Sequence, residues 1–323
     1  MSARVSICVP TYRQIDFLRS SLSSIKEQDF DEYEVVITDD TPDDSVEEVV
    51  REYLSDSRWS YFRNANALGS PENWNRAISL SKAPLVKLLH HDDKFVGRNA
   101  LGRFVGLMDD NPNADLGFSA SRIVSAIGGG IGYNRPTEKQ VERISKMPAS
   151  LLGANYVGAP SATIYRRSLG NDFDKSMRWL VDVDFYIRTL RGPSRLAYRD
   201  EILIETATSA EHQVTEEVRG NSDVDIGEHI KISLYLNDIE LKSPEVCWSW
   251  RRLFYLYGVY SERQLSSRFE YPSNLKMYFR YLFTERPLAM WGGRLLYSAY
   301  KNLAPSVRAH ASKTRKLAGR FMS

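Results

Sequence analysis

The stretch Leu85-Val86-Lys87-Leu88-Leu89-His90-His91-Asp92-Asp93 passes from an apolar run to two histidines and two aspartates without a spacer. A short apolar run bounded by polar residues reads as a buried strand of a parallel sheet. In open α/β sheets, ligands sit just beyond the carboxyl ends of the strands. Imidazole and carboxylate groups at such a place are able to hold a divalent cation. Carboxylates suit hard ions such as Mg²⁺ and Mn²⁺, which are bound through one or two protein groups plus substrate phosphates. The other use of Asp92 or Asp93 is to cap a following helix. A second acidic pair, Asp39-Asp40, ends the apolar run Tyr33-Glu34-Val35-Val36-Ile37-Thr38. A third, Asp182 and Asp184, opens a helical pattern between Leu180 and Leu190.

These pairs need a scaffold that brings strand ends together, and the order of the chain supplies one. Residues 5–10, 33–38, 59–62 and 85–89 are strand-like. Between them Ile15, Leu18, Leu22 and Ile25, then Val46, Val49, Val50, Tyr53 and Leu54, then Trp74, Ala77, Ile78 and Leu80 recur at helical spacing. Leu101, Phe104, Val105 and Met108 give a fourth helix, ended before Asn111-Pro112. Strand alternating with helix predicts a doubly wound, mainly parallel sheet. Past residue 115 the short runs 116–118, 123–124, 163–165, 196–198 and 202–204 predict further strands, and 134–152 a surface helix or loop. The glycine run at 128–132 is not a dinucleotide fingerprint, because it lacks the third glycine and a preceding first strand. From about 228 the pattern is aromatic, basic and helical, so two regions are expected, 1–227 and 228–323.

A chain of 323 residues with 42% apolar and 26% charged residues has the composition of a globular protein with ample core. Cys8 and Cys247 form neither a disulfide framework nor a metal pair by spacing, which fits a reducing, cytoplasmic setting. No basic-then-apolar leader and no run of 18 apolar residues is present. Charge is unevenly spread. Residues 246–323 carry 14 Lys and Arg against 3 Asp and Glu, and the rest carries 29 against 38. In the basic part Trp248, Trp250, Leu253, Phe254, Leu256 and Tyr257 are interleaved with Arg251 and Arg252. Leu275, Tyr278, Phe279, Leu282 and Phe283 follow beside Lys276 and Arg280, then Trp291, Leu295, Leu296 and Tyr300 beside Arg294 and Lys301. Such a mixture suits helices lying on an anionic membrane face, or a helical subdomain packed on the first region. No nucleic-acid-binding motif accompanies it.

With these stretches in place, residues 4–215 resemble the family 2 glycosyltransferases of the GT-A fold. Val5-Ser6-Ile7-Cys8-Val9-Pro10-Thr11-Tyr12 is similar to the family's opening strand, with Arg13 where asparagine is more frequent. Val36–Thr41 is similar to its nucleotide-binding acidic turn, and Asn75-Arg76-Ala77 to the helix that follows its glycine segment, here Gly69. His90-His91-Asp92-Asp93 stands at the DxD motif, Gly158-Ala159-Pro160-Ser161 at the acceptor-side loop, and Val181-Asp182 at the "xED" motif. Two departures matter. His90 replaces the first acid of DxD, and Val181 replaces the glutamate of "xED", for which Asp184 is a candidate substitute.

The resemblance implies transfer of a sugar from a nucleoside diphosphate to a hydroxyl of a glycan or lipid-linked acceptor, with inversion, in surface polysaccharide synthesis. It implies Mn²⁺ or Mg²⁺ on the two phosphates, held by Asp92, Asp93 and His212. It places Pro10, Tyr12, Asp39, Asp40, Asn75 and Asp92 against the nucleotide, with Asp40 on the base, Tyr12 along it and Asn75 near the ribose–phosphate. Asp182 becomes the general base, with Gly158, Ala159 and Asp184 on the acceptor side. A helix N-terminus lowers a carboxylate's pKa and burial raises it, so the two oppose each other at Asp182. The departures at His90 and Val181 leave a second reading, a catalytically inactive GT-A domain that binds nucleotide or glycan.

Overall fold

The computed structural model describes residues 2–125, 131–193, 195–208, 218 and 220–284. Its sheet is built from β1 (Val5–Thr11), β2 (Tyr33–Asp39), β3 (Trp59–Arg63), β4 (Leu85–Leu88), β5 (Lys94–Phe95), β6 (Ala114–Ser125), β7 (Ile131–Asn134), β8 (Thr163–Arg166) and β9 (Arg195–Thr208). The order is β3-β2-β1-β4-β8-β6-β9-β5, with β7 paired to β6. Strands β1 to β4, β6 and β9 run one way, and β5, β7 and β8 oppose them. The chain lays β2 and β3 on one side of β1 and returns to put β4 on the other. The carboxyl ends of β1, β2 and β4 therefore meet at a topological switch point, where such sheets bind ligands.

Helices α1 (Ile15–Lys26), α2 (Ser45–Val50), α3 (Glu72–Leu80) and α4 (Ala100–Asp110) follow the apolar spacing read from the sequence. The period-2 alternation of β1 divides the core. Val5, Ile7 and Val9 pack with Leu18, Leu22 and Phe104 on one face. Cys8 faces the other, with Val86, Leu88 and Phe118. Burial raises the Cys8 thiol to about 12, so it is an inert packing group.

Past residue 115 the sequence pattern gives fragments where the fold has long pieces. The runs at 116–118 and 123–124 are one strand, β6, and those at 196–198 and 202–204 are one strand, β9. Register shifts between them at Ser119–Ser121 interrupt the side-chain alternation, which broke the pattern. Residues 138–146 form α5 (Glu138–Lys146), started by a capping box between Thr137 and Gln140.

The boundary expected after residue 227 falls inside a helix, α7 (Ser222–Ser233). The described part of the C-terminal region continues as α8 (Asp238–Leu241), α9 (Pro244–Leu256), α10 (Glu262–Ser266) and α11 (Ser273–Thr284). Trp250, Leu253, Phe254, Leu275, Phe279 and Leu282 are all buried, in the same core as Val86 and Phe118. Trp250, Phe254, Tyr278 and Phe279 are thus core residues, while Tyr255 is exposed. Trp291 to Arg320 lie outside the described residues. Among the described residues no helix is long and apolar enough to cross a membrane.

This shared core predicts that Trp250→Ala lowers the free energy of unfolding by about 3–5 kcal/mol. A chain ended at residue 245 is expected to lose its cooperative transition. Urea denaturation followed by circular dichroism checks both outcomes.

Candidate active site

At the ends of β1, β2 and β3 the fold sets Thr11 beside Asp39 and Asp39 beside Arg63. Asp39 is fully buried. Its Oδ1 accepts from the Thr41 amide at 2.8 Å and the Thr11 hydroxyl at 3.2 Å, and its Oδ2 from the Tyr61 hydroxyl at 2.7 Å. Asp40 gathers the next loop. Its Oδ1 accepts from Asn64 Nδ2 at 2.6 Å and the Leu68 amide at 3.0 Å, and its Oδ2 from the Gly69 amide at 2.8 Å. Tyr12, Asp40, Thr41, Pro42, Arg63 and Asn64 line a cleft of about 700 Å³, a volume within the range of small-molecule sites. Tyr12 stays 44% exposed on its rim, with the Arg13 guanidinium 5.1 Å above its ring. Pro10 is buried one residue before the strand's end. Arg13 and Gln14 both take left-handed backbone conformations, with φ of 54° and 52°. The Arg13 amide is held there by the Thr41 hydroxyl at 2.7 Å, an arrangement that non-glycine residues adopt only where their surroundings impose it.

Asn64 was not singled out by the sequence. Its Nδ2 donates to the oxygens of both Asp40 and Asn73, which fixes the amide's orientation. Its Oδ1 is buried without a hydrogen-bond partner and belongs to a residue that lines the cleft.

At the end of β4, His90, Asp92 and Asp93 bring one ligand atom each to within 4.8 Å of one another. Burial lowers the His90 imidazole to about 4 and keeps it neutral, the form that ligates metals. Its Nε2 is buried with no hydrogen-bond partner, and its Nδ1 lies 3.9 Å from Asp93 Oδ2. Asp93 is held well above the usual carboxylate range, by burial first and by the charge of Asp92 second. A neutral imidazole with an orphaned nitrogen beside two repelling carboxylates is a donor set that fits a divalent cation. His90 thus joins the expected ligands Asp92 and Asp93, while His212 lies outside the described residues. Beneath them Lys87 is fully buried on β4. Its ammonium donates to the Ser161 carbonyl and lies 4.5 Å from the Phe104 ring centroid, and burial lowers it to about 7. On the α1 side, Asp92 and Asp93 also line a cavity of about 300 Å³ with Asp16, Lys94 and Glu205.

The acceptor-side loop is bonded directly to this motif. The His90 amide donates to Ser161 Oγ at 3.0 Å, in the turn Pro160–Ala162 that Ala159 leads into. Gly158 has φ +88°, and a Cβ there would lie 2.5 Å from Asn134 Nδ2, so only glycine fits. Asn155, another residue that the sequence did not flag, joins this loop to Asp182. Its Oδ1 accepts from the Gly158 amide at 2.9 Å, and its Nδ2 donates to Asp182 Oδ2 at 2.7 Å. Asp182 stands in the first turn of α6 (Val181–Leu190). Burial raises it to about 6, against the lowering by its hydrogen bonds from the Val183 amide and Asn155, so burial wins over the helix terminus.

Two expected placements differ. Asp184, two residues on and so across the helix, is 1% exposed. It is occupied by Arg188 Nε at 2.7 Å and the Tyr235 hydroxyl at 2.8 Å. It anchors α6 rather than lining the acceptor side. Asn75 pairs both its amide groups with the backbone of Phe173, at 2.8 and 2.9 Å, rather than turning to a ribose–phosphate. That pairing aligns a row of rings. His90 lies 4.5 Å from Trp74, Trp74 meets Phe173 edge-on at 5.2 Å, and Phe173 stacks on Phe185 of α6 at 4.2 Å.

An acidic turn beneath a nucleoside-sized cleft, a DxD-like cluster and a helix-borne carboxylate on one sheet edge define a GT-A-type sugar-nucleotide fold. The model for "Glycosyl transferase family 2" matches residues 6–174, and the chain belongs to that family: it is a glycosyltransferase. It is similar to an uncharacterized protein of Mycobacterium tuberculosis, 27% identical over 64% of this chain and 68% of the other. It is also similar to an uncharacterized glycosyltransferase of Methanocaldococcus jannaschii, 23% identical over 62% and 69%. A shorter similarity, 30% identical over 29% of this chain and 31% of the other, is to the Campylobacter jejuni GalNAc(5)-diNAcBac-PP-undecaprenol beta-1,3-glucosyltransferase. Among solved structures, S. aureus TarS 1–349 in complex with UDP has a TM-score of 0.58 at 18% identity, covering 97% of this chain and 89% of that one. The Pyrobaculum calidifontis mannosyltransferase PcManGT with GDP-Man and Mn²⁺ has a TM-score of 0.54 at 14% identity, covering 97% and 87%.

A base works only when deprotonated. With Asp182 raised to about 6, turnover is expected to fall as the pH drops through about 6. A profile of kcat that stays flat between about pH 5 and 7 would remove Asp182 from that role.

Proposed function

We propose that the enzyme moves a sugar from a nucleoside diphosphate to a hydroxyl of a glycan or lipid-linked acceptor, inverting the anomeric centre. The observation that carries this reading is Asp182, a half-buried carboxylate raised to about 6 and tied through Asn155 and Gly158 to the loop that bonds His90. A carboxylate near that value takes a proton from an acceptor hydroxyl and is deprotonated at neutral pH. The neighbouring Asp184 is engaged by Arg188 and Tyr235, which leaves Asp182 as the single carboxylate of this helix for the reaction. One base and one attack give inversion.

His90, Asp92 and Asp93 would hold the cation, which as a Lewis acid offsets the charge developing on the leaving diphosphate. Of the two expected ions, Mn²⁺ accepts an imidazole nitrogen more readily than Mg²⁺, which demands oxygen in near-octahedral order. The cleft at Tyr12 and Asp40 takes the nucleoside, and the Asn64 carbonyl oxygen awaits a donor such as a base N–H. The nucleotides in the two neighbouring structures, UDP and GDP-Man, support a nucleoside-diphosphate donor. The undecaprenol diphosphate-linked acceptor in the name of the Campylobacter enzyme supports a lipid-linked one.

A panel of nucleotide sugars, assayed for hydrolysis without acceptor, tests the donor class. Hydrolysis of one donor is expected with Mn²⁺, to be abolished by EDTA and by Asp92→Ala. Asp182→Asn is expected to bind that donor within a few-fold of wild type and to transfer its sugar about 10²–10⁴ more slowly. Binding without hydrolysis or transfer across the panel would favour the binding-module reading that His90 and Val181 leave open.

The basic surplus of residues 246–323 supports docking on an anionic membrane face near a lipid-linked acceptor. Because residues 246–284 complete the core, the test keeps the full chain and reverses Lys313, Arg315 and Lys316 to Glu. Salt-sensitive co-sedimentation with anionic vesicles is expected to be lost on reversal. Equal, negligible sedimentation of both proteins rejects the anchor.

A further inference from the structure

Glu228 lies on α7, in a stretch with no sequence motif, and is 4% exposed. Its carboxylate accepts three consecutive backbone amides, those of Arg178 at 2.6 Å, Trp179 at 2.9 Å and Leu180 at 2.7 Å. Leu180 is the N-cap of α6, two residues before Asp182, and its own side chain makes no capping bond. Of these, the Leu180 amide belongs to the unpaired N–H groups at the positive end of the α6 dipole, and the Arg178 and Trp179 amides lie just before it. One turn further along α7, Lys231 donates to the Ser176 carbonyl at 2.7 Å and hydroxyl at 3.1 Å. Thus α7 clamps the approach to α6 at two points.

The clamp is rigid because α7 is held from behind. His229 Nε2 meets Ser249 Oγ at 3.0 Å, Trp250 Nε1 donates to Ser233 Oγ at 3.2 Å, and the Tyr257 hydroxyl donates to Asp225 at 2.9 Å. All three partners come from α9 or its end. A helix terminus draws negative charge and depresses the pKa of a carboxylate in its first turn. A fixed anion on the same amides opposes that effect. Val181 stands where the family's motif carries glutamate, and Asp184 is turned toward Arg188 and Tyr235. Burial is the first cause of the raised Asp182, and Glu228 is the acid that adds to it through space.

We infer that Glu228 is a positioning residue for the base: it fixes the entrance of α6 and offsets the helix dipole beside Asp182, so that the C-terminal helices tune the proton acceptor of the reaction. The inference rests on Asp182 as the base. The groups that bear on Asp182 are Glu228 from α7, Tyr186 one turn on in α6, and the uncharged Asn155 and Val183 amide. Arg178 contributes its backbone amide, and its side chain is exposed.

The test measures the protein alone. A carboxylate whose folded value is raised favours the folded state at low pH and loses that advantage as the pH rises through the folded value. The stability of wild type relative to Asp182→Asn is therefore expected to decline with rising pH from the ordinary carboxylate range to about 6, the value burial gives Asp182. Denaturant unfolding of wild type, Asp182→Asn, Glu228→Gln and the double variant, across that range, gives the midpoint in each background. The midpoint is expected to move down in the Glu228→Gln background. The acid limb of kcat should move with it. A merely structural role lowers stability at every pH and leaves the midpoint where it was, and that result overturns the inference. Should Glu228→Gln fail to fold, Glu228→Asp keeps the charge but withdraws it by one methylene. A smaller downward shift then supports the inference and an unmoved midpoint overturns it. A shifted midpoint in a protein that neither hydrolyses nor transfers any sugar in the panel would leave the tuning intact and sink the catalytic reading.

Discussion

Several buried carboxylates in this molecule each need donors that water can no longer give, and the loops are folded around that need. A buried charge without partners costs several kcal/mol, so the chain must deliver amides or hydroxyls to each. Asp40 draws in Leu68, Gly69 and Asn64, which shapes the wall of the cleft beside Tyr12. Asp39 draws in Thr41 and Tyr61, which locks the end of β2 to its neighbour β3. Asp93 takes the amide of Ala207 from β9, far along the chain. Glu228 takes the three amides before α6. Each acid therefore does structural work close to the site proposed for the reaction.

This double use explains why the carboxylates are not interchangeable. Asp182 and Asp184 are adjacent acids of one helix, yet the helical turn sends them to different surroundings. Asp184 meets a guanidinium and a phenol, which satisfy both its oxygens. Asp182 meets one carboxamide, one amide and a buried wall, which leaves it raised. The same logic separates Asp93 from Asp92. Asp93 is 4% exposed and bonded to β9, whereas Asp92 lies on the more open side of the same cluster.

The sequence made the first half of the fold legible because its strands alternate with helices and each apolar run matches one element. Val5, Ile7 and Val9 against Cys8 already state which face each side chain takes. The acids at 39–40, 92–93 and 182 were also legible, since carboxylates at strand ends and a helix start are unusual in apolar surroundings. What stayed hidden depends on side-chain partners far apart in the chain. Nothing in the spacing tells that Asn75 pairs with Phe173, 98 residues away, or that Asn155 links a glycine loop to Asp182. The aromatic and basic composition of 246–284 suited a membrane face as well as a core. Position on the helix could not decide between them, because the deciding term was the packing of Trp250, Phe254 and Phe279 on one another and on His229, from helices apart in the chain.

That last substitution of roles alters how the catalytic edge should be viewed. The proposed nucleotide cleft lies at the strand ends, but Asp182, the proposed base, stands on α6, which packs on the face opposite α1 and α4. The helices of the C-terminal region close this same face, and α9 holds α7 while α7 holds the amides before α6. Phe173, pinned by Asn75, reaches Phe185 from one direction while Glu228 reaches Leu180 from the other. The helix that carries Asp182 is thus gripped between the His90 side of the sheet and the C-terminal helices. If Asp182 is the base, sequence divergence in those helices would retune proton transfer from outside the cleft.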